Sequence, residues 1–159
     1  MEQQPRVAES VLAMLASLEK ITDNFAVDQL VHSLQTATRA EEAGASQEVI
    51  VASLCHDIGK AISVINHPRI AAEILRPYVS HDTFQMILTH QDFQGRHYYE
   101  FIGLDPNARD QHKGASWYGL AEQFADDWDQ ISFDPDYPTK PLSHFEPLVR
   151  QTFATPRSL

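Results

Sequence analysis

The sequence predicts an all-α protein, a single bundle of six or seven helices around one core. Apolar residues recur at three- and four-residue steps over most of the chain, and the alternation typical of strands is nearly absent. A chain of 159 residues is long enough for one domain with a substantial core. We therefore expect one domain over residues 1–159, with its core at about 25–153 and an N-terminal helix at 7–20.

The first two helices are predicted from the spacing of their apolar residues. Segment 7–20 is the first, and segment 27–43 carries one continuous apolar stripe. Asp23 or Asn24 is expected to cap the second helix, because both residue types accept hydrogen bonds from free backbone amides. Gly44 lies just past its end, where a left-handed backbone conformation is expected.

The third helix, 47–58, is apolar nearly all round, which predicts a central and buried position. Ser46 is expected to cap its start and Gly59 to end it. The remaining helices are predicted to begin at His67-Pro68, to follow Ser80, to run from Trp117 to Trp128, and to run from Ser143 through Phe153. Segment 91–115 is less regular and rich in aromatic residues.

Composition excludes several classes of partner. The formal net charge is −10, which argues against binding to nucleic acid or to an anionic membrane surface. No apolar run approaches the roughly 18 residues that a membrane span needs. Segment 7–18 carries Glu9 and has no basic leader, so we interpret it as a structural helix and not as a signal peptide. The single cysteine, Cys55, cannot form an internal disulfide, and together these features favour a cytoplasmic location.

The chemistry of the chain is indicated by a His-Asp pair, His56-Asp57, at the end of the most apolar helix. A histidine is favoured at a helix C-terminus by the helix dipole, whereas a carboxylate is disfavoured there. A bound cation would resolve this conflict at Asp57. Four further residues could join this pair: His32, His67, His90 and Asp129. Together the six side chains supply enough nitrogen and oxygen ligands for two metal ions that share one carboxylate.

Each of these further residues also has an ordinary structural interpretation. His32 falls on the more polar side of its helix, and His67 and His90 could simply begin or cap helices. Asp126 and Asp127 compete with Asp129 for the last ligand position, and all three could form a solvated acidic face. We prefer Asp129 because it follows Trp128 and its helical phase differs from that of its neighbours. The joint pattern of imidazole and carboxylate suits iron, manganese, zinc or nickel.

Three basic residues are candidates for substrate contacts. Lys60 lies three residues after Asp57, where it either compensates a helix dipole or contacts an anionic or hydroxylated substrate. Arg96 and His97 could line the mouth of the same site.

The pattern His32, His56-Asp57, His67, His90 and Asp129 resembles that of the HD-domain superfamily. Within this superfamily, the chain looks like the mixed-valent diiron oxygenases. The resemblance lies in segments 30–35 and 54–60 and in the ending Pro141-Leu142-Ser143-His144-Phe145-Glu146. These include the oxygenase that cleaves 2-amino-1-hydroxyethylphosphonate and myo-inositol oxygenase. The resemblance covers roughly residues 25–153.

The resemblance implies two iron ions, Fe²⁺ and Fe³⁺, with Mn²⁺ or other divalent metals as alternatives. One iron would be held by His32, His56, Asp57 and Asp129, and Asp57 would bridge to a second iron held by His67 and His90. The implied co-substrate is dioxygen, and Lys60 would contact the organic substrate.

Two functions remain open from the sequence. The first is an oxygenase that cleaves a C–P or C–C bond next to a hydroxyl in a small substrate that resembles a hydroxyphosphonate or a polyol. The second is a metal-dependent phosphohydrolase or phosphodiesterase, because two divalent ions can also generate hydroxide and clamp a phosphoryl group. A non-catalytic domain with a structural metal is a third interpretation, which the complete ligand set disfavours.

Overall fold

The computed structural model describes residues 4–22 and 24–157, and the part of the chain that it describes contains helices and turns but no β-strand. The all-α prediction is therefore confirmed. The α-helices are α1 (Gln4–Ser17), α2 (Gln29–Glu42), α3 (Gln47–Cys55), α4 (His67–Leu75), α5 (His81–Leu88), α6 (His90–Gln94), α7 (Tyr118–Gln123) and α8 (Leu142–Thr152). A π-helical turn, Phe124–Asp129, continues α7 directly.

Helix α3 lies at the centre of the protein. All its residues from Val49 to Cys55 are buried, and it packs against α2, α5 and α8. This confirms the prediction from its uniform apolar composition. Burial is favoured because each apolar side chain removed from water contributes roughly 1.5–3 kcal/mol.

Helix α1 packs on its own chain. Ala8, Val11 and Leu15 are buried in the common core, and the helix contacts α8 and α2. A short 3₁₀ turn, Leu18–Lys20, ends the segment that the sequence assigned to one helix. No helix in the described parts of the chain combines the length and apolarity needed to cross a membrane.

Two predicted caps are wrong. Asp28, not Asn24, caps α2, because its side chain accepts a hydrogen bond from the Val31 amide at 2.9 Å. Asn24 instead adopts a left-handed backbone with φ of 66°, and Asp23 lies outside the described residues. Helix α8 begins at Leu142, so Ser143 lies inside it and does not cap it.

Other local predictions are confirmed. Gly44 has φ of 79°, as expected for a residue past a helix end. Ser80 caps α5 by accepting a hydrogen bond from the Thr83 amide at 3.3 Å. Pro68 lies in the first turn of α4.

The irregular segment after His90 holds more helix than the sequence suggested. It begins with the short helix α6 and continues through three 3₁₀ turns: Gly95–His97, Tyr99–Ile102 and Ala108–His112. Eight α-helices are therefore found in the described residues, where six or seven helices were predicted. Short turns of this kind have no apolar stripe long enough to detect.

Candidate metal centre

Five separate elements deliver the six candidate ligands. His32 lies at the end of the first turn of α2, His56 and Asp57 directly follow α3, and Asp129 ends the π-helical turn. His67 and His90 are the first residues of α4 and α6. All six side chains are buried, with relative exposures between 0% and 7%.

The Asp57 carboxylate divides the four histidines into two pairs. Its Oδ2 atom lies 3.3 Å from Nε2 of His32 and 3.2 Å from Nε2 of His56. Its Oδ1 atom lies 3.1 Å from Nε2 of His67 and 3.3 Å from Nε2 of His90. One carboxylate oxygen therefore faces each pair.

Asp129 belongs to the first pair. Its Oδ1 atom lies 3.0 Å from Nε2 of His32 and 3.3 Å from Nε2 of His56. Asp126 is turned to Arg109, and Asp127 is exposed. The structure thus places Asp129, and neither of its acidic neighbours, beside the histidines.

Each histidine ring is oriented by a backbone carbonyl. Nδ1 of His32 donates to the Ser132 carbonyl oxygen at 2.8 Å, across to a neighbouring loop. In the other three histidines, Nδ1 donates at 2.7 Å to the carbonyl oxygen three residues earlier: His56 to Ser53, His67 to Val64 and His90 to Ile87. A carbonyl can only accept, so Nδ1 carries the proton in every ring. In the neutral imidazole, Nε2 then offers a lone pair to the centre.

The spacing of the inward atoms fits a bound cation. Nε2 of His32 and Nε2 of His56 are 3.1 Å apart, a spacing at which both nitrogens can point to one shared cation. Donors about 2.1 Å from one octahedral ion lie about 3.0 Å from their neighbours. Two groups of three ligands each have their ligand atoms within 4.8 Å of one another. One group is His32, His56 and Asp129, and the other is His56, Asp57 and His90.

Asp129 supplies a second sign that a cation belongs here. With Nδ1 of His32 and of His56 hydrogen-bonded to backbone carbonyls, the neutral rings leave both carboxylate oxygens of Asp129 buried without a hydrogen-bond donor. An unpaired buried carboxylate is strongly unfavourable, whereas a carboxylate bound to a metal is not. The residues therefore fit a metal ion next to Asp129, and Asp57 fits a bridge to a second one.

The two carboxylates of the centre attract positive charge. Burial raises the pKa of Asp57, but His56 and Lys60 outweigh it and hold that pKa well below its usual range. Burial lowers the pKa of His56, but the carboxylates of Asp57 and Asp129 outweigh it and raise the pKa to about 10. Burial alone dominates at His90 and lowers its pKa. Ionised carboxylates thus face imidazoles that attract either protons or metal ions at Nε2.

Three backbone features bring the ligands together. A Cβ atom on Gly59 would lie 2.4 Å from the carbonyl oxygen of His67, so only glycine lets the start of α4 approach Asp57 this closely. Asp57 itself has φ of −103° and ψ of 8°, which takes its side chain off the axis of α3. The wider π-helical turn changes the phase of Asp129 relative to α7.

Aromatic rings enclose one side of the centre. The Phe133 ring stacks on His32 with centroids 4.0 Å apart, and Phe25 stacks on Phe133 at 4.9 Å. Phe124 packs against His56 at 5.2 Å. Sequence analysis did not single out these residues, because local patterns do not show which aromatic side chains reach a site built from distant elements.

Of the three basic candidates, only Lys60 reaches the centre. Its Nζ atom lies 3.2 Å from Oδ2 of Asp57. His97 instead contacts Asp126 at 2.8 Å, and Arg96 is exposed. A substrate contact by Arg96 or His97 stays a prediction.

Comparison with known protein families finds the HD domain at residues 30–134, about two-thirds of the chain and a span that includes all six candidate ligands. The chain therefore belongs to the HD-domain family. Domains of this family bind divalent metals, and membership indicates a metal-dependent enzyme. The match does not separate oxygenases from hydrolases. A comparison with curated proteins gives no match.

Proposed function

We propose that this protein is a diiron oxygenase that cleaves a C–P or C–C bond next to a hydroxyl group in a small, anionic or polyol-like substrate. The proposal is carried by one observation, the Asp57 carboxylate that turns one oxygen to His32 and His56 and the other to His67 and His90. When bound, two iron ions would supply one-electron redox chemistry, with dioxygen as the oxidant.

The donor set supports iron. Four imidazole nitrogens surround the two carboxylates of Asp57 and Asp129. Nitrogen-rich sets of this kind suit iron, whereas magnesium prefers sites made of oxygen ligands. Two carboxylates also leave part of the charge of two metal ions unbalanced, which favours an anionic or hydroxylated substrate.

The surroundings of the centre support a reaction that must be kept from bulk water. Phe133 covers one face of the His32 ring, and Phe124 lies against His56. An apolar wall limits solvent access and so limits side reactions of reactive species. Lys60 stands at the partly open side, with its side chain 14% exposed and its ammonium group 3.2 Å from Asp57. We assign Lys60 the role of holding a negatively charged substrate oxygen.

Phosphohydrolysis is the second candidate, and membership of the HD-domain family favours it. A pair of divalent ions bridged by Asp57 would also suit the activation of water, with Lys60 on a phosphoryl oxygen. The two functions differ in their co-substrate and in their requirement for redox-active metal.

The deciding experiment reconstitutes the protein with iron under anaerobic conditions, partly oxidises it, and records its electron paramagnetic resonance spectrum. We expect the signal of a coupled Fe²⁺/Fe³⁺ pair that changes on addition of hydroxyphosphonates or polyols, followed by oxygen uptake when air is admitted. Release of phosphate from nucleotides with manganese, without oxygen uptake, would establish the hydrolase instead. His144→Ala is a suitable control, because this exposed histidine contacts Glu41 and no candidate ligand.

A further inference from the structure

Gln29 is a buried residue beside the candidate metal centre that neither function uses. It is the first residue of α2, lies one turn before His32, and has 0% relative exposure. Its Oε1 atom accepts a hydrogen bond from Nζ of Lys60 at 3.3 Å, and that Nζ lies 3.2 Å from Oδ2 of Asp57. Gln29 is therefore connected to the shared carboxylate through a single side chain.

The contact with Lys60 fixes which way the Gln29 amide points. An ammonium group can only donate, so the atom that faces Lys60 is the amide oxygen and not the amide nitrogen. That nitrogen, Nε2, is buried and has no acceptor. A buried donor without a partner destabilises a protein, so its presence needs an explanation.

Gln35, on the same helix, shows what a structural glutamine looks like in this protein. It is also buried, with 1% exposure. Its Nε2 donates to the Asp134 carbonyl at 2.6 Å, and its Oε1 accepts from the Asp134 amide at 3.2 Å. Both ends of Gln35 are therefore satisfied within the protein, whereas one end of Gln29 is not.

We propose that Gln29 is a substrate-binding residue whose Nε2 amide donates a hydrogen bond to an oxygen of the substrate at the metal centre. Its preferred partner is a phosphonate, phosphate or carboxylate oxygen, because Lys60 adds a positive charge on the same side of Asp57. The two side chains together provide a charged donor and a neutral donor for one oxyanion. This inference rests on the proposed function only in requiring that an oxyanion binds at the centre.

The test measures thermal stability and the affinity for inorganic phosphate of the metal-loaded protein, without turnover. In Gln29→Met we expect an unchanged or higher melting temperature, because the substitution removes an unpaired buried donor. We expect both metal ions to be retained and phosphate affinity to fall about tenfold, the loss of about one charge-assisted hydrogen bond. Gln29→Glu keeps the size of the side chain but replaces the donor with a carboxylate, and should weaken phosphate binding further.

Gln35→Met is the matched control. We expect it to lower the melting temperature, because it removes two satisfied hydrogen bonds, and to leave phosphate affinity unchanged. The inference is overturned if Gln29→Met binds phosphate as tightly as the wild type, or if the metal-loaded wild type binds no phosphate. Oxygen uptake by the wild type is measured separately. Its absence would remove the oxygenase proposal and leave the result for Gln29 standing.

Discussion

Among the residues that the structure describes, charged side chains are buried in two regions, around Asp57 and around Arg109. In the second region, the Arg109 guanidinium donates to both carboxylate oxygens of Asp126, at 3.0 Å and 2.8 Å, and to the carbonyl of Phe93. His97 contacts the same carboxylate at 2.8 Å. This region therefore brings together a carboxylate and a cation that the protein itself supplies.

The region around Asp57 lacks that internal balance. Its one lysine, Lys60, contacts Asp57, while both oxygens of Asp129 are left without a donor. The histidines turn Nε2 inward because Nδ1 is hydrogen-bonded to a backbone carbonyl. Burial alone does not distinguish the two regions. The difference is that protein groups pair the Asp126 carboxylate, whereas the Asp129 carboxylate is left without a donor and fits an added cation.

The largest expected effect is on metal content. Asp57→Ala removes a side chain that contacts both histidine pairs, so we expect the variant to lose both metal ions. His67→Ala should lose mainly the ion of the second pair. Metal analysis of the purified, reconstituted variants measures this directly. Loss of a single equivalent in both variants would show that Asp57 is not shared.

A smaller change to the same region should come from Gly59→Ala. The added Cβ would meet the backbone of His67 at 2.4 Å, so the start of α4 must move away from Asp57. We expect the ion held by His67 and His90 to bind at least about tenfold more weakly, since misplaced supporting groups typically cost that much in metal affinity.

Gly119→Ala is the control for that substitution. Nothing lies within 4 Å of a Cβ atom at Gly119, which is helical. This variant should keep its metal affinity and gain about 0.5–1 kcal/mol of stability. Equal metal affinity in the two variants would mean that the close approach at Gly59 does not position His67.

The Arg109 region should respond in stability and not in metal content. Arg109 is fully buried, so Arg109→Met leaves Asp126 without its main partner and should lower the free energy of unfolding by about 3 kcal/mol. Chemical denaturation measures the change. Lys113→Met, which breaks an exposed pair with Asp110, should change stability by less than about 1 kcal/mol. Loss of metal from folded Arg109→Met would show that the two regions are coupled.

The smallest expected effect is a pH dependence of the free energy of unfolding, contributed by Asp126. Partial burial raises the pKa of Asp126, but hydrogen bonds from Arg109 and His97 outweigh it and hold that pKa below its usual value. A carboxyl with a lowered folded-state pKa stabilises the protein above its unfolded pKa of about 3.9, and this contribution is lost as pH falls further. The stability difference between the wild type and Asp126→Asn should therefore shrink below about pH 4. A difference that stays constant with pH would contradict the assigned ionisation.

Some parts of the fold and the site could be predicted from the sequence. The apolar stripe of α2 and the apolar run of α3 are local patterns, and the helices were found where those patterns lie. Asp129 was preferred over Asp126 and Asp127 from its helical phase, and the structure places it beside His32 and His56. The role of these residues as metal ligands stays a proposal.

Other parts could not be predicted. His32 was assigned to the polar side of its helix, yet that side is buried, because Phe133 and Ser132 cover it from a loop 100 residues later. The cap at Asp28 was missed because several nearby residues have similar capping propensities, and the start of α8 was missed because Pro141 makes no side-chain cap. The short turns after α6 have too few residues for a periodic signal.

The sequence by itself determined that the protein is helical, that α3 is central, and that histidines and aspartates suited to binding metals flank it. These properties follow from local spacing and from the chemistry of each side chain. Only the tertiary structure decided which oxygen of Asp57 faces which histidine pair, and that the amide nitrogen of Gln29 has no acceptor. Such relations depend on contacts between elements that are distant in the chain, and local patterns contain no information about those contacts.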